Sequence, residues 1–444
     1  MKKKILINKI IYPFKNKSIT VSGDKSLSIR FILLSSLANG KSSAINILKS
    51  EDVINTIECI KKLGIKVKTT KSKFEVFGKG LFGYKYKNNL ILNAGNSGTA
   101  ARLLCSILVD TKKVIKITGD NSLKKRDMKR IIEPLKMFGA KFEHNNYKLP
   151  IKIFGTKKLK AINYTENLGS AQCKSAIMLA SLKTSGVTKL KCLPSRNHTE
   201  LMFKNVIKTP ISIKKEKNYD LINLKGLKQF KSFNYEIPGD ISSAAFFIIL
   251  TLLAKNSSLK IKNVNINNTR IGIIKILNKM GAKIKYANKK KYKGEQIADI
   301  IVKSNRRLNS IKLNPNLNSS AIDEFLLIFI IAGVSKGIST FRNLSELNKK
   351  ESKRLDWGIK ILKMVGIKVK KIKNDGLKIH GNPNLKLKKK IEVKNYLKDH
   401  RVFMTSVITA LTLGGEWRIH DADCFKTSFP SFFRILRDLG AKTI

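Results

Sequence analysis

The chain repeats one pattern of apolar and polar positions. Over residues 128–142 apolar side chains recur at three- and four-residue steps, which is the spacing of a helix with one buried face. Gly139 follows, and a residue without Cβ readily takes the left-handed conformation that ends a helix. An Ala-Lys-Phe run then predicts a strand. The same helix–glycine–strand ending recurs at Gly64, Gly281, Gly366 and Gly440.

The spacing of these glycines indicates an internal repeat. Consecutive glycines lie roughly one or two multiples of 75 residues apart. The double step predicts a missing copy near Thr209, where a helical pattern ends in Thr-Pro instead of Gly-Ala. The pattern therefore predicts six copies of one unit.

Each copy begins with small polar residues that lead into an apolar helix. The six openings start GDKSLSIRF, GNSGTAARLL, GSAQCKSAIM, GDISSAAFF, SSAIDEFLL and DHRVFMTSV. Ser, Asp and Asn favour a helix N-terminus because their side chains bond to amide groups that lack a partner within the helix. Such helix ends also bind anions. Six of them predict a site that handles several negative groups.

Two similar Gly-Asp turns, Gly23-Asp24 and Gly239-Asp240, are the candidate domain boundaries in a chain of 444 residues. They predict a first lobe over residues 24–239 with three repeats. The second lobe would comprise residues 1–23 and 240–444 with the other three. A chain that leaves one lobe and returns makes two crossovers, which form a natural hinge around a ligand cleft.

The formal charge of +59 favours nucleic-acid binding on its own. The lysines are spread over every segment, however, so a general surface bias is the favoured explanation. The positive electrostatic field of so many lysines would still attract small anionic substrates.

The apolar runs at 244–254 and 325–334 are too short to span a bilayer. The five cysteines form no C-x-x-C pair, which predicts buried free thiols in a reducing compartment. The N-terminal segment lacks a long apolar core and a small-residue cleavage site, so we expect no signal peptide and a cytoplasmic protein.

Several segments carry candidate chemistry but are ambiguous one by one. The Gly-rich run at 93–102 suits a phosphate, although no Gly-Lys-Ser/Thr follows it. Arg196, His198 and Glu200 fall within one helical turn and could form an acid/base or metal pair. No further ligand lies at the required spacing, so zinc is not favoured and an ion-pair role is at least as probable. Asp323 precedes a very apolar run, where desolvation would raise the pKa of a carboxyl group.

Ten segments in order resemble the 5-enolpyruvylshikimate-3-phosphate (EPSP) synthase family. They are GDKS, GNSGTAAR, SAQCKSA, SRNHTE, PGDISSAAFF, NNTR, IDE, KES-R, DHR and TSFP. The resemblance runs from about Val21 onward, and four of these motifs are similar to the glyphosate-tolerant class II branch. It implies an α/β fold with two lobes, each made of three βαβαββ repeats.

The resemblance also implies an activity. The family transfers the enolpyruvyl group of phosphoenolpyruvate to the 5-hydroxyl of shikimate 3-phosphate by addition and elimination as the lobes close, and it releases phosphate. The partners would be these two small anions and no nucleic acid or membrane. No metal or organic cofactor is implied, and the expected state is a monomer.

The motifs assign residue roles by resemblance. The expected catalytic residues are Asp323, Glu351 and Lys25, with Asp323 as base and Glu351 moving a proton at the methylene carbon. The expected contacts to phosphoenolpyruvate are Lys25, Gly98, Thr99, Arg126, Gln172, Arg354, Arg401 and Lys426. The expected contacts to shikimate 3-phosphate are Lys25, Ser26, Arg30, Ser170, Ala171, Gln172, Arg196, Asp323 and Lys350.

Two departures and two alternatives accompany this interpretation. Asp127 follows Arg126 where the family usually has Pro, and Lys426 stands one place earlier than the family's lysine. The nearest competing enzyme, the UDP-N-acetylglucosamine enolpyruvyl transferase, shares the fold and the donor but uses a catalytic loop cysteine. Cys105 and Cys173 lie in helical segments instead. A binding-only protein is supported by the charge alone.

Overall fold

The computed structural model describes residues 3–70, 73–305, 307–373 and 375–442. The chain forms two compact units. Unit I comprises Gly23–Ile237 and Lys293–Glu295. Unit II comprises the described residues of Met1–Ser22, Pro238–Tyr292 and Gln296–Ile444.

Strands and helices alternate along both units. The strands are β1 Ile5–Ile7, β2 Lys17–Thr20, β3 Asn39–Ile45, β4 Lys66–Thr69, β5 Phe74–Lys79, β6 Leu90–Asn93, β7 Ile115–Thr118, β8 Lys141–Asn145, β9 Lys148–Phe154, β10 Asn163–Glu166, β11 Val187–Cys192, β12 Ile211–Lys215, β13 Asp220–Lys225, β14 Asn234–Glu236, β15 Ser258–Asn265, β16 Lys285–Tyr292, β17 Glu295–Lys303, β18 Ile338–Phe341, β19 Val369–Ile372, β20 Gly376–His380, β21 Leu387–Val393 and β22 Gly414–Ile419. The helices are α1 Lys25–Leu37, α2 Glu51–Lys62, α3 Gly98–Ile107, α4 Asn121–Lys124, α5 Lys129–Met137, α6 Ala171–Ser181, α7 His198–Asn205, α8 Ile241–Leu253, α9 Gly272–Lys279, α10 Asn318–Ala321, α11 Phe325–Gly333, α12 Arg354–Met364, α13 His400–Leu413 and α14 Phe432–Asp438. Short 3-10 turns lie at Pro315–Leu317, Ser345–Lys349 and Ala422–Thr427.

Each unit contains three small sheets of three or four strands. In unit I the strand orders are β14-β3-β5-β4, β6-β7-β9-β8 and β10-β11-β13-β12. The first pair of each sheet is parallel and the pairs that follow are antiparallel. In unit II the orders are β2-β15-β17-β16, β18-β20-β19 and β21-β22-β1. Within the described residues, five of the six sheets contain one parallel pair and the sheet β18-β20-β19 is antiparallel throughout. The number of sheets matches the six predicted repeats.

Three strands complete sheets whose other members are distant in sequence. β1 pairs antiparallel with β22, with Ile7 opposite Trp417. β2 lies parallel to β15 in unit II, and β14 lies parallel to β3 in unit I. The helices that follow β2 and β14 in sequence, α1 and α8, belong to the other unit in each case. The chain therefore changes unit at these two strand-to-helix turns.

The predicted helix-ending glycines are confirmed. Gly64, Gly139, Gly281, Gly366 and Gly440 all have φ between 85° and 103°, the left-handed region in which a glycine avoids the Cβ clash. In the third copy Lys208, beside the predicted Thr209, takes the left-handed conformation with φ 51°. The sixth ending is therefore present, but a lysine rather than a glycine adopts the strained backbone.

The helix openings follow the prediction in five copies. The side chains of Asp24, Ser97, Ser170, Asp240 and Asp399 each accept a bond from an amide in the first turn of the helix that follows. The copy that contains SSAIDEF differs, because α10 ends at Ala321 and α11 begins only at Phe325. A sharp bend of 120° separates these helical segments, and residues 322–324 form the turn.

The core of unit II explains two very apolar helices. Every residue of α8 and of α11 is buried, so both are surrounded by protein on all sides rather than presenting one polar face. Within the described residues no single helix has the length and apolar character needed to cross a membrane, and one bent pair, Pro315–Ala321 with Phe325–Gly333, meets that test only jointly. The five cysteines are buried free thiols, as predicted.

Candidate active site

The N-terminal ends of α1, α3 and α6 carry most of the predicted site residues of unit I, while Arg126 and Arg196 lie in the segments before α5 and α7. Lys25 opens α1, and its Nζ lies 3.1 Å from Oδ2 of Asp52. The backbone carbonyl of Ser26 accepts a bond from Arg30 Nη1 at 3.1 Å. Both Lys25 and Ser26 are half-buried. The Lys25 ammonium group lies at the N-terminus of α1, and both features favour the binding of an anion there.

Arg30 is buried and joins three helices. Its Nε donates to Thr199 Oγ1 at 2.8 Å, and its Nη2 donates to Ser175 Oγ at 2.7 Å. These hydroxyls come from α7 and α6, and they also bond to each other at 2.7 Å. Sequence reasoning assigned no role to Ser175 or Thr199, although both fall inside segments that it singled out.

Gln172 is held from both ends of its amide group. Its Nε2 donates to Thr99 Oγ1 at 2.9 Å, and its Oε1 accepts from Arg102 Nη1 at 2.7 Å. The structure thus brings two predicted site residues, Thr99 and Gln172, into contact. Arg102 was missed as a functional residue, yet it is the arginine of the GTAAR run and a charged donor of this kind fixes an amide strongly.

Gly98 allows a close approach of the backbone to two arginines. A Cβ at this position would lie 2.9 Å from Arg102 Nη1 and 3.1 Å from Arg126 Nη1. Arg126 Nη2 donates to Asn96 Oδ1 at 2.9 Å. The absence of a side chain at Gly98 leaves these guanidinium groups their space.

Asp127 does not neutralise Arg126. Its Oδ1 accepts from the backbone amide of Lys129 at 2.6 Å, and the residue is exposed. The carboxylate therefore satisfies an amide in the first turn of α5, where an acidic group is also favoured by the helix dipole. At this position, where the family usually has Pro, the carboxylate bonds to the first amide of α5.

The start of α6 and the SRNHTE segment share buried ion pairs. Ser170 caps α6 and donates its amide to Glu166 Oε1 at 3.1 Å, while Ala171 begins the helix. Lys174 Nζ lies 2.6 Å from Glu200 Oε1.

His198 Nδ1 lies 2.6 Å from Glu295 Oε1, and both side chains are buried. The H-x-E pair therefore makes two separate ion-pair contacts, one with Lys174 and one with Glu295. Arg196, two residues before His198, is half-buried.

In unit II the predicted residues converge on Arg354. Its Nη1 lies 3.4 Å from Asp323 Oδ1, its Nε lies 2.9 Å from Asp399 Oδ2, and its Nη2 contacts Glu351. Lys350 Nζ lies 3.5 Å from the same Asp323 oxygen. The structure thus gathers residues from three segments of the sequence into one cluster.

The Arg354 pair with Asp399 stays ionised despite its burial. Burial alone lowers the pKa of Arg354, but the carboxylates of Asp399, Glu351 and Asp323 outweigh it and raise that pKa. Burial likewise opposes ionisation of Asp399, and the Arg354 guanidinium nevertheless holds the pKa of that carboxyl below its usual value. The DHR motif assigned no role to Asp399, but the structure shows that this carboxylate is the main counter-ion of Arg354.

Arg401 approaches the same turn from α13. Its Nη1 donates to the carbonyl oxygen of Asp323 at 2.8 Å and lies 3.6 Å from Glu324 Oε1. Glu324 also accepts from Ser242 Oγ. The bend between α10 and α11 therefore positions Asp323, because its backbone and its carboxylate are each held by an arginine.

A third arginine of unit II, Arg270, extends this network to α8. Its Nη2 lies 3.2 Å from Asp240 Oδ1 and 3.0 Å from Ser242 Oγ. Arg270 belongs to the NNTR motif, to which sequence reasoning gave no residue roles. Lys426 lies in the 3-10 turn Ala422–Thr427, where its Nζ is 2.8 Å from Asp423 Oδ1 and its side chain is about half exposed.

The cysteines offer no reactive thiolate. Burial raises the pKa of Cys105 and of Cys173 to about 12, so both remain protonated at neutral pH and are poor nucleophiles. Both lie inside helices, α3 and α6, and not in a loop. This observation disfavours an enolpyruvyl transferase that depends on a loop cysteine.

Comparison with solved structures places the fold among the enolpyruvyl transferases. The enolpyruvyl transferase NikO from Streptomyces tendae matches all of this chain and 98% of its own with a TM-score of 0.78, at 12% identity, which shows the fold alone. EPSP synthase from Acinetobacter baumannii matches 99% of this chain and 98% of its own with a TM-score of 0.85 and 34% identity. The chain therefore has the enolpyruvyl transferase fold.

Sequence comparison identifies the family within that class. The family model for EPSP synthase (3-phosphoshikimate 1-carboxyvinyltransferase) matches residues 15–436. The 3-phosphoshikimate 1-carboxyvinyltransferase of Caldicellulosiruptor bescii is 41% identical over 424 residues, which is 95% of this chain and 96% of that protein. The one of Ruthia magnifica is 40% identical over 423 residues, or 95% of each chain. The chain belongs to the EPSP synthase family.

Proposed function

We propose that the protein transfers the enolpyruvyl group of phosphoenolpyruvate to the 5-hydroxyl of shikimate 3-phosphate. In the addition step the hydroxyl oxygen bonds to C2 of phosphoenolpyruvate, the hydroxyl proton is taken up by a base, and C3 gains a proton. In the elimination step C3 loses a proton, the C2–phosphate bond breaks and inorganic phosphate leaves. Membership in the EPSP synthase family supports this reaction.

The observation that carries the residue assignment is the cluster around Arg354. It sets two carboxylates, Asp323 and Glu351, beside Arg354 and Lys350 within hydrogen-bonding or ion-pair distance. A reaction of two polyanions that moves protons requires both kinds of group. We assign Asp323 as the base for the 5-hydroxyl and Glu351 to proton transfer at C3, with Lys25 near the reacting centre.

The remaining roles follow the chemistry of each side chain. Guanidinium forks match carboxylate and phosphate groups, so Arg126, Arg354 and Arg401 suit phosphoenolpyruvate. The other proposed contacts to this substrate are Lys25, Gly98, Thr99, Gln172 and Lys426. The proposed contacts to shikimate 3-phosphate are Lys25, Ser26, Arg30, Ser170, Ala171, Gln172, Arg196, Asp323 and Lys350. For Arg30, the bonds to Ser175 and Thr199 would fix the guanidinium in place for the substrate.

We further propose that the enzyme works as a cytoplasmic monomer on these two small substrates, with residues 24–239 as the first lobe. The buried free thiols suit a reducing compartment.

The test is phosphate release from phosphoenolpyruvate, measured with and without shikimate 3-phosphate. We expect release only with the acceptor, and a loss of at least about a hundredfold in Asp323→Asn and in Glu351→Gln. Matched controls are Asp356→Asn and Glu416→Gln, because both carboxylates are exposed and pair with lysines, Lys371 and Lys390. The controls should keep wild-type rates.

Other outcomes would reassign the protein. Release with UDP-N-acetylglucosamine but not with shikimate 3-phosphate would favour the competing transferase. Full activity in Asp323→Asn would remove that residue from the mechanism while leaving the reaction intact. No release with either acceptor, together with salt-sensitive binding of nucleic acid, would mean that the charge alone determined the function.

A further inference from the structure

Unit I contains a cavity of about 840 Å³ that no step of the proposed reaction uses. Its walls come from the segments 81–86, 108–113 and 156–160 and from residues 183 and 185. Pockets for small ligands usually have volumes of roughly 300–1,000 Å³. The space therefore suits one small molecule.

The cavity lies at the opposite helix ends from the predicted substrate residues. Gly98 and Ala171 begin α3 and α6, whereas the cavity is lined by residues that follow the ends of these helices, such as Leu108 and Lys183. α3 has 10 residues and α6 has 11, so about 15 Å of helix separates the two places. A ligand in the cavity would not occupy the substrate positions.

The charge of the cavity is strongly one-sided. Seven of its lining residues are lysines and Asp110 is the one acid among them; the lysines are Lys85, Lys112, Lys113, Lys157, Lys158, Lys160 and Lys183. Asp110 is already paired with the buried Lys183. Across the described residues, Lys112, Lys157 and Lys158 make no ion pair. The unbalanced charge favours an anion with several negative groups.

Three aromatic rings line the same space. They are Phe82, Tyr84 and Tyr86. Phe82 is 58% exposed although it is a large apolar side chain. Lys183 Nζ lies 5.8 Å from the Phe82 ring and 5.6 Å from the Tyr84 ring, which orients both rings. An exposed ring beside lysines can stack on a planar group of a ligand.

Tyr84 and Lys183 are fixed by the ends of the surrounding helices. The Tyr84 hydroxyl bonds to Ser36 Oγ at 2.7 Å, and Lys183 Nζ donates to the carbonyl oxygen of Ile107 at 2.7 Å. Two lining residues, Tyr84 and Lys183, are therefore held in place by bonds to Ser36 of α1 and Ile107 of α3.

We propose that this cavity binds a nucleoside polyphosphate, with the base stacked on Phe82 and the phosphates held by Lys112, Lys113 and Lys158. The aromatic rings can stack on the planar base, and the lysines can bind the negatively charged phosphates. The size of the cavity favours a single nucleotide over a nucleic-acid strand. This proposal does not depend on the transferase reaction.

Binding of ATP to the full chain by titration calorimetry tests the proposal. Tripolyphosphate supplies the charge without the ring, and adenosine supplies the ring without the charge, so ATP should bind more tightly than either. Phe82→Ala should weaken ATP binding by about tenfold, because stacking of a base on an aromatic ring contributes roughly 1–3 kcal/mol, and should leave tripolyphosphate binding unchanged. The double variant Lys113→Gln/Lys158→Gln should weaken both.

Controls separate the cavity from the general positive charge. Lys388→Gln/Lys389→Gln removes two exposed lysines of β21 in unit II and should leave ATP binding at the wild-type level. Equal losses in this control, or ATP binding no tighter than tripolyphosphate, would overturn the proposal. Displacement of ATP by phosphoenolpyruvate with shikimate 3-phosphate would place the nucleotide at the substrate positions instead. Tighter binding of a single-stranded oligonucleotide than of ATP would also refute it.

Discussion

The Nε atom of Arg354 lies 2.9 Å from Oδ2 of Asp399, and both side chains are buried. Asp399 also caps α13 by accepting from the Arg401 amide at 2.9 Å and accepts from Ser352 Oγ at 2.9 Å. One carboxylate therefore fixes one proposed substrate arginine directly and sets the helix start that carries the other.

Asp399→Asn should destabilise the protein strongly. Breaking a buried ion pair typically costs about 3–5 kcal/mol. Glu351 and Asp323 still face Arg354 in this variant, so we expect a loss near the lower end of that range. Denaturant unfolding measures the loss, and Asp356→Asn serves as the exposed control. A loss below about 1 kcal/mol, the size found for surface pairs, would mean that Asp399 contributes little to the fold.

The same pair should make stability depend on acid pH. The pKa of Asp399 is lowered in the folded state, so its contribution is fully present above the unfolded value of about 3.9. It is lost as pH falls through that value toward the lower folded one. The difference in unfolding free energy between wild type and Asp399→Asn should therefore be constant from neutral pH to about pH 5 and shrink below it. A difference that grows as pH falls would contradict this sign.

Gly98→Ala should weaken the binding of phosphoenolpyruvate more than the binding of shikimate 3-phosphate. The added methyl group would lie 3.1 Å from Arg126 Nη1 and 2.9 Å from Arg102 Nη1, and it would displace these guanidinium groups. We expect the KM for phosphoenolpyruvate to rise by about tenfold, equivalent to ~1.4 kcal/mol, with a smaller change for shikimate 3-phosphate. Steady-state kinetics with each substrate varied in turn checks this. Equal increases for both substrates would indicate a general distortion of α3.

Arg102 and Gln172 should act as one unit. Arg102→Met leaves Gln172 Oε1 without its charged donor, a bond worth roughly 1.5–3 kcal/mol, so kcat/KM should fall by about tenfold or more. In a double-mutant cycle, adding Arg102→Met to Gln172→Ala should cost little further activity. Additive losses would show that Arg102 acts independently of the amide.

Lys208→Gly should stabilise the protein. A left-handed conformation costs a residue with a Cβ roughly 1–2 kcal/mol, and part of this gain is offset by the greater freedom of glycine in the unfolded chain. The net gain should be about 0.5 kcal/mol. Lys204→Gly, an exposed position within α7, should instead destabilise by up to about 1 kcal/mol. Thermal unfolding of both variants distinguishes relief of strain from a general effect of glycine.

Local features of this protein could be predicted from the sequence. The cap at Gly139 depends on a few neighbouring residues, and so do the side-chain caps at Asp24 and Ser97. Each of these two signals recurs in five of the six copies, and the repetition made the βα units predictable even where Lys208 replaces glycine. The ten ordered motifs then indicated the family and the candidate residues.

The contacts that fix those residues could not be predicted. Arg30 bonds to Thr199, 169 residues later, and Arg354 pairs with Asp399, 45 residues later. Nothing in a local pattern specifies which of many polar residues will meet after folding. The break before Phe325 was likewise hidden, because an apolar run predicts a buried helix without giving the point at which it begins.

The pairing of β1 with β22 has a consequence for synthesis on the ribosome. Ile7 lies opposite Trp417, and translation proceeds at roughly 5–20 residues per second, so β1 waits about 20–80 s for its partner strand. All of β3 to β14 emerges in the meantime, so the sheets of unit I can assemble first. An unpaired apolar strand during that interval is exposed to association with other chains, and its neighbours in sequence, Lys3 and Lys4, place positive charge beside it.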